Sequence, residues 1–318
     1  MPANRILGRS RYPKNLHNHS TFSDGALSPD KLILELKKRG RKHVAITDHD
    51  NFGSLVEVSQ KRGRNVAQER KYGGKTLREL AKFPTMGIRV RRLKISNGAE
   101  FNCNHNGMKI EILAYHFNPK SRQMLALQDT TMGTAQARAN SRLNFFKKLG
   151  FKIDLKELNP FNYSALDKEL LGPKNALLLS HTLQRLGAPR DQVERNPTGT
   201  LRSLLFSKED SEYFAATHEP YAESMHVIDS VRKNGGIAVL AHPLQYFRGL
   251  PIEEQEARVT KLVSELKKQG LKGMEVEYVI KPGYYSMDEI KMLRRVARKL
   301  KLKVFGGTDY HLSPRDLL

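Results

Sequence analysis

His17 and His19 are spaced two apart, so on an extended segment both imidazoles point to one face and can reach one metal ion. Asp24 follows in a Ser-Asp-Gly turn, which returns a hard oxygen ligand to the same place and suits a divalent transition metal. Related residues recur at His49 in Thr47-Asp48-His49-Asp50, at Glu100, at His242 before Pro243, and at Asp309 and His311. Nitrogen and carboxylate donors without thiolates favour Mn²⁺, Fe²⁺ or Zn²⁺ over a structural zinc knuckle. Together they exceed what one ion needs. Clustered metals that share a carboxylate are the usual device for hydrolysing phosphoesters.

Elements able to position these residues are legible along the chain. Ser28-Pro29 opens a helix whose apolar stripe is Leu32, Ile33 and Leu36, and Gly40 ends it. Val44-Ala-Ile46 reads as a buried strand that delivers His49. A strand from Ile95 leads to Glu100, and beyond a polar turn another runs from Met108 to His116. From about 121 to 214 the segment reads as helical, with Phe145, Phe146 and Leu149 before Gly150, and a helix from Ala176 to Leu186. Strand and helix then alternate again: a helix over Met225 to Lys233, a strand over Ile237 to Ala241, helices over Glu253 to Lys268 and Met287 to Lys299, and a last strand at Lys303 to Phe305. This is the rhythm of a parallel α/β fold, in which strand carboxyl ends converge on one face. Five of the 11 histidines fall at such ends. The other six, His43, His105, His116, His181, His218 and His226, read as surface or local structure.

With 318 residues the chain can bury a sizeable core. Its 55 Lys+Arg against 33 Asp+Glu give a formal charge of +22, a field that attracts phosphate-rich partners. Residues 61–94 concentrate it: Arg89, Arg91, Arg92 and Lys94 end a run with only Glu69 and Glu79 as acids, which reads as a phosphate-facing surface or as a solvated helical face. Cys103 is the single cysteine, so an intramolecular disulfide is excluded and a reducing compartment fits. No apolar run suits a signal peptide or a membrane span, and the reading is cytoplasmic, with no pointer to an oligomeric state.

LHNHSTFSDG, AITDHDN, GAEF, VLAHP and GTDYH, in that order, resemble the signature of the PHP (polymerase and histidinol phosphatase) family over roughly residues 15–118 and 215–312. Within it the layout is most similar to the RNase AM and nucleoside 3′,5′-bisphosphate phosphatase branch. The resemblance implies a distorted (β/α) barrel of about seven strands, formed by residues 1–120 and 215–318, with residues 121–214 as a helical insertion acting as a substrate lid. It implies two or three metal ions, with Mn²⁺ preferred and Fe²⁺ or Zn²⁺ as substitutes. His17, His19, Glu100 and Asp309 would hold one; Glu100 would bridge to a second on His242; Asp24, His49 and His311 would hold a third. The ninth ligand departs from the family pattern: Glu111 stands where relatives carry histidine, with His116 as the alternative on the opposite strand face. Asp48 or His242 would assist proton transfer. Arg142 and His181, in the insertion, are candidate substrate contacts, although the Arg-Pro before the family's histidine is absent here.

The expected activity is attack of a metal-bound hydroxide on a phosphate ester of a nucleotide or short RNA, as in a 3′,5′-bisphosphate nucleotidase or 5′-3′ exoribonuclease. A small-metabolite phosphatase such as a histidinol phosphatase is the alternative. A degenerate module that binds nucleic acid through its basic surface is the non-enzymatic one.

Overall fold

The structure is a computed structural model and describes residues 14–54, 88–90, 93–161, 164–206, 221–278 and 285–311. The basic stretch at 61–87, with Arg91, Arg92 and His218, lies outside the described residues.

The chain divides into two compact units, residues 1–131 with 221–318, and residues 132–220. The first is an α/β barrel. Its strands are β1 (Lys14–Asn15), β2 (His43–Ile46), β3 (Ile88–Val90), β4 (Leu93–His105), β5 (Met108–Tyr115), β6 (Ala222–Glu223), β7 (Ile237–Leu240), β8 (Gly273–Tyr278) and β9 (Lys303–Gly307). Seven of them follow one path, β1-β2-β4-β5-β7-β8-β9, with β3 and β6 paired on β4. The path closes on itself: the Leu16 N–H donates to the Gly306 carbonyl at 3.1 Å, and Asn18 bridges Tyr310.

Not every pair is parallel. β5 runs antiparallel to both β4 and β7, so the parallel rhythm read from the sequence is interrupted there. The turn between β4 and β5 explains it. Asn106 and Gly107 both adopt positive φ (52° and 84°), the two-residue geometry that matches strand twist in a tight hairpin. A strand that returns through a hairpin presents its amino-terminal half, rather than its carboxyl end, at the face where its neighbours end.

Helix α1 (Pro29–Lys38) has proline at its first position and lays Leu32, Ile33 and Leu36 on Val44, Ile46, Leu93 and Ile95. Leu32 and Leu36 are each 1 % exposed, and burying such a side chain contributes about 1.5–3 kcal/mol. On the other face of the same strands, Leu16, Ala45, Leu113, Tyr115, Val239 and Ala241 fill the barrel, with Tyr115 stacked on Phe305. The outer core is completed by α7 (Ser224–Lys233), α8 (Ile252–Gln269) and α9 (Met287–Lys299), whose Val231, Val263 and Val296 pack with Phe101, Ile112 and Leu240.

The second unit is helical: most of α2 (Arg122–Lys148), then α3 (Ser164–Leu171), α4 (Ala176–Arg185), α5 (Arg190–Arg195) and α6 (Pro197–Phe206). Its own core joins Leu143, Phe146, Phe151, Leu170, Leu183 and Leu201. No helix among the described residues is long and apolar enough to cross a membrane.

Candidate metal centre

The barrel brings nine of the sequence-selected side chains together in three overlapping groups: His17, His19, Glu100 and Asp309; Glu100, Glu111 and His242; and His19, Asp24, His49 and His311. His17, His19, His49, His242, Asp309 and His311 follow strand ends and Asp24 a turn beyond β1, whereas Glu100, read from the sequence as a strand end, lies within β4, which continues to His105, and the hairpin places Glu111 in the amino-terminal half of β5. His116, at the far end of β5 with its backbone turned to φ 59°, is not among them.

Geometry in the first group is tight. His17 Nε2 lies 3.1 Å from His19 Nε2, 3.1 Å from Glu100 Oε2 and 3.2 Å from Asp309 Oδ1. His19 Nε2 lies 3.3 Å from Glu100 Oε2 and 3.0 Å from Asp309 Oδ1. A tetrahedron with such edges has its centre about 2 Å from each corner, the distance at which imidazole nitrogen and carboxylate oxygen bind a divalent ion. Glu100 is fully buried, and neither of its oxygens accepts a hydrogen bond; they face ring nitrogens of His17, His19, His49 and His242 at 3.1–3.4 Å. A buried carboxylate answered only by imidazoles is costly in a dry site and is satisfied by a cation. The donors therefore fit a metal ion.

In the second group His242 Nε2 is 3.0 Å from Glu111 Oε2 and 3.4 Å from Glu100 Oε1, while Lys109 Nζ holds the other Glu111 oxygen at 3.2 Å. In the third, Asp24 Oδ2 is 3.1 Å from His311 Nε2 and 3.5 Å from His49 Nε2. Here the side chains of Asp24 and His311 are 29 % and 34 % exposed, so this group meets solvent and the other two lie behind it.

Burial opposes charge on the imidazoles, yet the carboxylates outweigh it. The neighbouring carboxylates of Asp309 and Glu100 raise His19 to about 9, and those of Glu100 and Glu111 raise His242 to about 10. Burial would push the carboxyls up, but Lys109 brings Glu111 down to about 2, and His17 and His49 hold Glu100 well below the usual range. Opposite charges this close are what a metal ion replaces when it displaces the protons.

Several residues hold the donors in place, and the sequence reading missed the most buried of them. Glu275 on β8 accepts from His17 Nδ1 at 3.1 Å and from the His242 backbone N–H at 2.9 Å, which fixes the tautomer that leaves His17 Nε2 free to ligate. Its signal was parity: Met274 and Val276 pack in the outer core, so Glu275 between them faces the barrel interior. His311 Nδ1 donates to the Asp309 carbonyl at 2.8 Å and so keeps Nε2 toward Asp24. His242 (φ 25°) and Asp309 (φ 48°) have left-handed backbone, a strain of about 1–3 kcal/mol each that closely packed sites maintain.

Asp48 is fully buried but does not face the donors. Its oxygens accept from the Ser20 N–H (2.7 Å), Ser20 Oγ (2.8 Å) and Ser23 Oγ (2.9 Å), and thereby pin the turn that carries Asp24. Gly25 closes that turn, and a Cβ there would stand 2.1 Å from the His19 carbonyl oxygen. Arg142, on α2, and the exposed His181, on α4, belong to the second unit.

Overlapping nitrogen and carboxylate donor sets at one mouth of an α/β barrel define a metal-dependent hydrolase. The PHP domain profile matches residues 15–278, and the chain belongs to that family. It is similar to the 5′-3′ exoribonuclease of Haemophilus influenzae, 25 % identical over 93 % of this chain and 89 % of the relative. It is 24 % identical to the phosphoribosyl 1,2-cyclic phosphate 1,2-diphosphodiesterase of Eggerthella lenta, over 94 % of each chain. To the 3′,5′-nucleoside bisphosphate phosphatase of Chromobacterium violaceum it is 22 % identical, over 93 % of this chain and 86 % of the relative. Family and relatives make the chain a phosphoester hydrolase.

Proposed function

We propose that this enzyme hydrolyses phosphate esters of nucleotides or short RNA with two or three divalent ions, Mn²⁺ preferred, held by the nine donors. The carrying observation is that three donor groups overlap at Glu100 and His19 while one of them opens to solvent. Ions bound there would supply an activated water and neutralise charge on the phosphoryl oxygens. The chain's own residues do the rest. Glu275 and Asp48 position the donors, and of the two residues considered for proton transfer Asp48 is held by Ser20 and Ser23, which leaves His242 as the one this reading assigns to it. Glu111 replaces an imidazole with a carboxylate, a hard ligand that favours Mn²⁺ or Fe²⁺. The helical segment containing Arg142 and His181 is the part of the chain to which this reading assigns substrate recognition.

Substrate class rests on the relatives, whose names all describe phosphate esters of ribose or of a nucleoside. The small-metabolite reading retains support from the phosphoribosyl substrate of the Eggerthella relative. A degenerate binding module is disfavoured, since such a protein has no physical use for this many converging ligands.

A substrate panel tests the reading: nucleoside 3′,5′-bisphosphate, 5′-phosphorylated RNA trimers, phosphoribosyl cyclic phosphate and histidinol phosphate, each with Mn²⁺. Turnover of the first two, abolished by EDTA, is expected. Turnover of histidinol phosphate alone, or a chain that takes up no Mn²⁺, overturns the proposal.

A further inference from the structure

The backbone of Glu111 is fixed on both sides: its N–H donates to Tyr246 Oη at 2.9 Å, and its carbonyl accepts from the Ala241 N–H at 3.0 Å. Its side chain is placed by Lys109. The two residues lie two apart on β5, on the face that Leu113 and Tyr115 continue into the barrel, so they are neighbours with Lys109 about 7 Å nearer the mouth. Lys109 Nζ lies 3.2 Å from Glu111 Oε1, and Glu111 Oε2 turns to His242 Nε2 at 3.0 Å. The ammonium is steadied by the ring of Tyr221, whose centroid is 5.5 Å away. Among the described residues Lys109 has no other ion pair.

A solvent-facing ion pair does little for stability, and the Lys109 side chain is half-exposed, so the pair calls for another reason. Charge supplies one. Glu100 and Glu111 converge on the His242 ring, two carboxylates beside an imidazole that must be neutral to ligate an ion. Surplus negative charge there draws a metal ion in but repels the phosphoryl oxygens that the ion is to bind. Lys109 cancels the charge of Glu111. Because it also occupies Oε1, a single oxygen is left facing the donor group. The pair therefore offers an ion one donor atom and no net charge, which is what a neutral imidazole offers.

We infer that Lys109 is a positioning residue of the metal centre: it fixes Glu111 as a one-oxygen donor and cancels its charge, so that an ion beside His242 keeps its attraction for a phosphoryl group. The inference rests on the reading of the nine donors as a metal site. Position 111 is where the chain departs from the family pattern, and the pair gives that departure a chemistry.

Calorimetric titrations of the full chain with Mn²⁺, and of the Mn²⁺-loaded chain with inorganic phosphate, test it without turnover. Lys109→Gln keeps an N–H donor and removes the charge. It should bind Mn²⁺ about threefold to tenfold more tightly and phosphate more weakly by a similar factor, as expected for loss of a unit charge beside a partly hydrated divalent ion. A lysine that merely held the local structure together would weaken both on removal. Lys109→Arg, which keeps the charge, should hold both affinities within about twofold of wild type, and so should Lys109→Gln/Glu111→His, in which an imidazole replaces the pair. Any other pair of shifts in Lys109→Gln overturns the inference while wild-type uptake of Mn²⁺ upholds the reading of the donors. A double variant that keeps the shifted affinities overturns it equally. A wild-type chain that takes up no Mn²⁺ overturns both.

Discussion

Glu275 illustrates how much of a metal centre lies in residues that never touch the metal. One of its oxygens serves the His17 ring and the His242 backbone, so a single carboxylate orients ligands of two donor groups. Glu275→Gln preserves size but offers His17 Nδ1 a mixed donor and acceptor, and outer partners of this kind are typically worth 10–100-fold in metal affinity. Calorimetric titration with Mn²⁺ should record a loss in that range with unchanged helical content; wild-type affinity would remove Glu275 from the positioning role. His17, His19, His49, His242, Asp309 and His311 were legible because buried-looking strands seldom end in such side chains, Asp24 because a Ser-Asp-Gly turn follows them, and Glu100 although it lies within β4 rather than at its end. Glu275 was not, because Met-Glu-Val-Glu reads equally well as a strand with one face in water, and only barrel closure turns that face inward. Glu111 was singled out by its place in the family pattern, and strand parity served only to separate it from His116.

Closure of the barrel depends on a contact between its first and last strands that leaves no room for a side chain. A Cβ on Gly307 would stand 2.3 Å from His17 Cβ and 2.7 Å from the His17 nitrogen. Gly307→Ala must therefore push β9 from β1, which costs about 1–3 kcal/mol as an overpacking change and displaces His17 and Asp309 together. Lower midpoint in urea and loss of bound metal are expected to appear jointly in this variant; a fully metallated, equally stable Gly307→Ala chain would show that the two strands do not press on each other. Helices were the most readable elements, with the stripe of α1 and the glycine after it both where periodicity put them. Strand direction was less so. Nothing in the residues of β5 says that it runs against β4, and the only local cue was Asn106-Gly107, a turn whose two positive φ values force a hairpin.

Across the whole molecule, protons and metal ions compete for the same nitrogens. His19 and His242, raised to about 9 and about 10 against an ordinary value of 6.5, stabilise the metal-free fold by binding protons more tightly than the unfolded chain does. That contribution is complete below about 6.5 and is lost as pH rises through 9 and 10, whereas an ion that takes the nitrogens gains from the same rise. The increase in melting temperature produced by a fixed Mn²⁺ concentration should therefore grow between pH 6.5 and 8.5, by differential scanning calorimetry; a constant increase would mean that the ion displaces no proton. The donors are also far apart in the sequence. Two of the three groups need Asp309 or His311 beside His17 or His19, and these meet only when β9 joins β1, nearly 290 residues later. A chain emerging from the ribosome cannot assemble either group until β9 has left the exit tunnel, so its hydrolytic power is withheld until then, while messenger and ribosomal RNA are its nearest neighbours.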